Sequence, residues 1–197
     1  MKVIGIVGGT GAGKTTALEE LSALNVELLD CDAVYHELLE SSQELKEGIE
    51  GRFGPVFHEN GLDRRKLGQM VFHDPEALRD LNRIAFSVLV PELRRRIEAA
   101  REQGRRGVGI DGAVLLESEL VQDCDALVAV VAPVKERVRR VMAREGISEQ
   151  YARARIAAQR SDEWIRERCG YVLENNGAQE AFRAAAKDLF EKLLREN

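Results

Sequence analysis

The 197-residue chain is 44% hydrophobic and 32% charged, enough apolar material for one well-buried core with room for a small appended subdomain. Its formal net charge of −5 argues against a general nucleic-acid binder, although a local basic cleft stays compatible with it. Cys31, Cys124 and Cys169 are widely separated and form no C-x-x-C pair, which argues against a disulfide framework or a zinc site. The first apolar run is too short for a signal peptide, and no run approaches the length of a membrane span. A cytoplasmic chain with reduced thiols and no membrane or nucleic-acid partner is expected.

In chain order, residues 2–7 (KVIGIV) are apolar and rich in β-branched side chains, the signature of a buried parallel strand. A glycine stretch follows, then apolar residues at helical spacing over 15–24. Residues 26–29 form a second short strand candidate, ending at Asp30. Helical patterns are expected over 33–40, 43–52 and 63–72, and over 75–103 with Pro91 as a kink or break. Residues 108–110, 126–131 and 171–173 are further strand candidates. Helices are expected at 134–145, behind Pro133, at 148–159, behind Ser148, and at 178–195. Strands alternating with helices predict an α/β fold with a five-stranded parallel sheet covered on both faces. No repeat or proline-rich linker divides the chain.

Gly8, Gly13, Lys14 and Thr15 satisfy G-x-x-x-x-G-K-[ST], between a predicted strand and a predicted helix as the mechanism of that motif requires. Glycines let the backbone close on phosphate oxygens where a Cβ would collide. The helix N-terminus adds N–H donors and partial positive charge. Gly8, Gly9, Thr10, Gly11, Ala12, Gly13, Lys14, Thr15 and Thr16 are therefore the candidate ATP-binding residues. Lys14 reaches the β- and γ-phosphates, and the Thr15 hydroxyl is a Mg²⁺ ligand. No N-K-x-D-type base-reading motif of a GTPase is present.

Asp30-Cys31-Asp32 closes the second predicted strand. A carboxylate there could take a proton from an attacking hydroxyl, or hold water on Mg²⁺; Asp32 could equally serve as a helix N-cap. Asp111, ending the third predicted strand, could assist Mg²⁺ through water or merely start a loop. Arg137, Arg139, Arg140, Arg144, Arg153, Arg155 and Arg160 crowd two helices. Most are read as a solvated charged face and one or two as functional, because an arginine placed on a moving phosphoryl group is worth about 10³–10⁵ in rate. The stretch Arg94, Arg95, Arg96, Arg101, Arg105 and Arg106 is read as surface. Trp164 is read as packing, and the three histidines show no metal spacing.

Taken together, these segments resemble the dephospho-coenzyme A kinase family over nearly the whole chain and in order. The glycine loop 8–16, D-C-D-A-V-Y-H (30–36), D-R-R-K-L (63–67) with Phe72, L-L-E (115–117), R-I-A-A-Q (155–159) and Y-V-L-E-N-N-G (171–177) carry the likeness. The resemblance implies a P-loop kinase with a core of 1–35, 106–135 and 170–197. A helical acceptor-binding insertion would span about 36–105 and a lid about 136–168. It implies ATP as co-substrate, dephospho-CoA as acceptor, Mg²⁺ as cofactor and a monomer or weak homo-oligomer. By position, Lys14 bridges phosphates, Asp32 is the base, and Arg140 is the lid arginine. Asp30, His36, Arg64, Leu115 and Glu117 bind the acceptor. Phe86-Ser87 stands where the family has His-Pro, and Ala113-Val114 where it has Pro-Leu. Two alternatives therefore stay open: a kinase for another nucleoside- or nucleotide-like acceptor, and a nucleotide-binding regulator with weakened catalysis.

Overall fold

A computed structural model describes residues 1–59, 61–112 and 115–196. The Ala113-Val114 departure lies outside the described residues. The chain forms two compact units, Met1–Leu29 with Ile97–Asn197, and Asp30–Arg96.

The first unit is built on strands β1 (Lys2–Val7), β2 (Val26–Asp30), β5 (Gly107–Asp111), β6 (Ala126–Val131) and β7 (Tyr171–Glu174). They form one five-stranded parallel sheet in the order β2-β5-β1-β6-β7, flanked by helices, as the alternation of elements predicts. The central strand β1 pairs with β5 in a register that sets Ile6 opposite Asp111, and with β6 so that Val7 faces Ala129. Burial on both faces explains why β1 is a continuous apolar run rather than an alternating one: Val3, Ile4, Ile6 and Val7 are all below 5% exposed. Helices α1 (Lys14–Ser22) and α9 (Gln179–Leu193) pack together on this core through Ala17, Leu21, Phe182, Ala186 and Phe190. Burying Phe190 completely contributes about 1.5–3 kcal/mol. Helices α6 (Val134–Glu145), α7 (Glu149–Ala157) and α8 (Asp162–Arg166) cover the segment expected to form a lid. Ser148 and Ser161 cap α7 and α8 by accepting from the Tyr151 and Trp164 N–H groups.

The second unit holds α2 (Cys31–Ser41), α3 (Gln43–Phe53), α4 (Arg64–Phe72) and the antiparallel pair β3 (Phe57–His58) and β4 (Gly61–Leu62). Its core is Leu39, Leu45, Ile49, Phe53, Val56, Leu67 and Ala77. The β3–β4 pair was not expected from the sequence, because two-residue strands are too short to show an alternating pattern. Helix α5 (Pro75–Glu102) bears out the long helix expected over 75–103 and runs through Pro91 without a break, one of the two outcomes the proline left open; the boundary between units falls within it. Among the described residues no helix is long and apolar enough to cross a membrane.

Candidate active site

The glycine loop leaves the carboxyl end of β1 and enters α1 at Lys14, with Gly13 as N-cap at φ 107° and ψ 18°. That left-handed conformation favours glycine. A Cβ there would also strike the Asn175 amide. No side chain caps α1 and no acidic residue lies in its first turn, so its first N–H groups and dipole are directed at the loop without a competing carboxylate. The Lys14 ammonium bonds Asp111 Oδ1, which joins the loop to the end of the neighbouring strand β5. Thr15, on the first turn, is exposed.

Two arginines of α6 hold the loop by its carbonyl oxygens. Arg140 Nη1 donates to the Gly11 and Ala12 carbonyls at 3.2 and 3.4 Å. Its Nη2 donates to Asn175 Oδ1 at 3.0 Å, and Asn175 Nδ2 donates to the Ala12 carbonyl at 2.9 Å. Arg137, only 2% exposed, donates through Nε to the Thr10 carbonyl at 2.9 Å and through Nη1 to Asp162 Oδ1 at 2.8 Å. The arginine run is thus not a uniform solvated face: Arg139 and Arg153 pair with carboxylates on the surface, while Arg137 is buried. Periodicity could have singled out Arg137, since it shares an i, i+4 stripe with the buried Val141.

Of the expected acceptor residues in this unit, Leu115 is 1% exposed, its N–H donates to the Gly112 carbonyl and its own carbonyl accepts from Ser118, so it is a packed residue rather than one open to a ligand. Glu117 accepts from Arg160 Nε at 3.0 Å. Arg160 and Arg168 guanidinium carbons lie 5.0 and 4.1 Å from the centre of the Trp164 ring. The basic stretch beyond residue 94 is surface, as read: Arg95, Arg96, Arg101 and Arg105 each meet a carboxylate. Among the described residues, no group of three or more His, Cys, Asp or Glu could hold a metal. The oxygen groups that α1 and β5 bring to the loop are the exposed Thr15 hydroxyl and the Asp111 carboxylate, a hard and sparse set compatible with Mg²⁺ held partly through water.

In the other unit the acidic pair resolves differently from its N-cap reading. Asp30, not Asp32, caps α2, accepting from the Asp32 and Ala33 N–H groups at 2.8 and 3.1 Å. The helix begins at Cys31, which puts Asp32 in the first turn with its carboxylate exposed and not used for the cap. Asp32, His36 and Glu40 follow at i, i+4 and i+8, one stripe of α2. Further down this stripe a polar cavity of about 670 Å³ is lined by His36, Glu40, Lys46, Glu50, His58 and Arg64, among others. Burial pushes the nearby Tyr35 hydroxyl up from its ordinary value, and the Arg64 charge opposes that shift. Two of the expected acceptor residues, His36 and Arg64, therefore share one cavity. Phe86 and Ser87 lie on α5, where Ser87 Oγ donates to the Ile84 carbonyl at 2.9 Å.

The dephospho-CoA kinase family model matches residues 2–180. The chain belongs to the dephospho-CoA kinase family. A dephospho-CoA kinase of Corynebacterium diphtheriae is 32% identical over 194 residues, covering 98% of this chain and 97% of that one. A dephospho-CoA kinase of Thermobifida fusca is 33% identical, covering 99% and 98%. A crystal structure from Thermus thermophilus superposes with a TM-score of 0.76 at 34% identity, over 98% of this chain and 97% of that one. The glycine loop and the D-x-D segment that carried the family resemblance both lie inside the matched region.

Proposed function

We propose that this chain transfers the γ-phosphoryl group of ATP to the ribose 3′-hydroxyl of dephospho-CoA, giving CoA and ADP, the last step of coenzyme A biosynthesis. The observation that carries the reading is the glycine loop feeding an uncapped helix with Lys14 on Asp111, in a chain that matches the dephospho-CoA kinase family over residues 2–180.

The loop N–H groups of residues 8–16 cradle the phosphates, and Lys14 exchanges Asp111 for the β- and γ-phosphate oxygens. The Thr15 hydroxyl would hold Mg²⁺ and Asp111 would assist through water; the ion would supply neutralisation of phosphate charge. Asp32 accepts the hydroxyl proton; the assignment of the cap to Asp30 leaves its carboxylate available for this. Arg140 acts from the carbonyl side of the loop, through its charge and its grip on Gly11 and Ala12. His36 and Arg64 hold the acceptor in the cavity of the second unit, whose size falls in the usual range of ligand pockets. Leu115 packs the short turn that carries Glu117, and Glu117 contributes through its ion pair with Arg160.

Steady-state kinetics of Asp32→Asn test the base. A positioned base contributes about 10²–10⁴ in rate, so kcat should fall by that order while the KM for ATP changes little. Wild-type turnover by the purified, folded variant would remove Asp32 from the mechanism.

A further inference from the structure

Gln159, in the turn between α7 and α8, uses both ends of its carboxamide on one loop residue. Its Oε1 accepts from the Thr10 N–H at 2.8 Å, and its Nε2 donates to Thr10 Oγ1 at 3.2 Å. The same Oε1 accepts from Arg137 Nη2 at 3.1 Å, while Arg137 Nε holds the Thr10 carbonyl and Nη1 holds Asp162 at the start of α8. Thr10 is thereby gripped at its N–H, its hydroxyl and its carbonyl by two side chains that also fix the two ends of residues 159–162. Gly9 belongs to the same device, because a Cβ there would collide with the Arg137 guanidinium. A guanidinium buried to 2% exposure with one carboxylate partner is costly unless its geometry is put to use.

We infer that Gln159 and Arg137 are positioning residues that couple the glycine loop to α7 and α8, so that filling the loop with nucleotide phosphates also orders the segment around Trp164. The inference rests on the kinase reading of the loop. The carboxamide transmits the state of Thr10 to the turn that carries Arg160, and Arg160 lies over the ring of Trp164 and on Glu117. Trp164 is the lone tryptophan of the chain, so its emission reports this segment alone. Ordering of this segment excludes water from the phosphates, and loss of the coupling favours hydrolysis over transfer.

The test is titration of the full-length protein with ADP, following Trp164 emission in parallel with calorimetric binding, on the unsubstituted chain and on Gln159→Ala. Gln159→Ala removes three hydrogen bonds, none of them to the nucleotide itself, and weakens ADP binding by about tenfold at most. The Trp164 response should be lost at saturating ADP, and acceptor-free ADP production from ATP should rise relative to transfer. Gln159→Glu keeps the oxygen that meets Thr10 and Arg137 and should restore most of the response. If Gln159→Ala does not fold, Gln159→Met, which keeps the length of the side chain without the amide, replaces it with the same expectation. A full Trp164 response in these variants overturns the inference, as does the absence of any response in the unsubstituted protein at saturating ADP. Failure of the unsubstituted protein to bind ADP at all overturns the kinase reading instead, which separates the two.

Discussion

The contact between Gly13 and Asn175 offers a quantitative check on how the phosphate loop is held. In Gly13→Ala the new methyl group must be carried at φ 107°, which costs an L-residue about 1–2 kcal/mol. It must also displace the Asn175 amide, which is 6% exposed and bonded to the Ala12 carbonyl and to Arg140. Breaking that buried bonding costs about 1–3 kcal/mol, and the stiffer unfolded chain returns about 0.4–1 kcal/mol. The net expectation is a loss of about 2–4 kcal/mol. In an Asn175→Ala background the collision is gone, and the backbone cost less the same unfolded-chain gain, about 0.5–1.5 kcal/mol, should remain. Urea unfolding of the four proteins of this cycle, read at constant m, measures the difference. Equal costs of Gly13→Ala in both backgrounds would refute the view that Asn175 clamps the loop.

Phe190→Ala, at a fully buried site between α9 and the sheet, should cost about 3–5 kcal/mol in thermal or urea unfolding without changing the KM for ATP. Burial pushes the Cys124 thiol to about 12, with the Asp123 and Asp125 charges adding to the shift, and pushes Cys169 to about 11. At pH 8 both are held as thiols, so iodoacetamide should modify the native protein far more slowly than the urea-unfolded one, as read by intact mass. Hydrogen bonds from Arg95 and Arg96 lower Glu92 from 4.5 to about 2. Because the folded value lies below the unfolded one, this group adds stability above about pH 4.5 that is lost as the pH falls towards 2. Glu92→Gln should therefore unfold with a shallower acid dependence over that window, by less than about 1 kcal/mol for so exposed a cluster.

Much of the architecture was legible because its signals are local. The strand at 2–7, the helix at 134–145 and the glycine loop between β1 and α1 lie where periodicity and motif put them. The order of the strands was not legible, since β5 enters between β1 and β2 only through packing. Single-residue boundaries also escaped: Asp30 and Asp32 are both good caps, and the choice depended on whether α2 began at Cys31 or two residues later. The burial of Arg137 was open to periodicity, but its grip on the loop, and that of Gln159, were hidden for a different reason. Their shared partner in the loop, Thr10, lies more than 100 residues away in sequence, and no local pattern marks such a pairing. Pro91 left a kink and a break both open in the long helix expected over 75–103, and the helix continues through it, with Leu89, Val90 and Leu93 buried around it.

The most direct measurement is release of ADP by the purified protein from Mg-ATP, with dephospho-CoA present and then withheld. Release that rises in proportion to added dephospho-CoA, accompanied by a CoA product of matching amount and abolished by Lys14→Ala, is the predicted result. Release that ignores dephospho-CoA, or that survives removal of the Lys14 ammonium, would contradict the account.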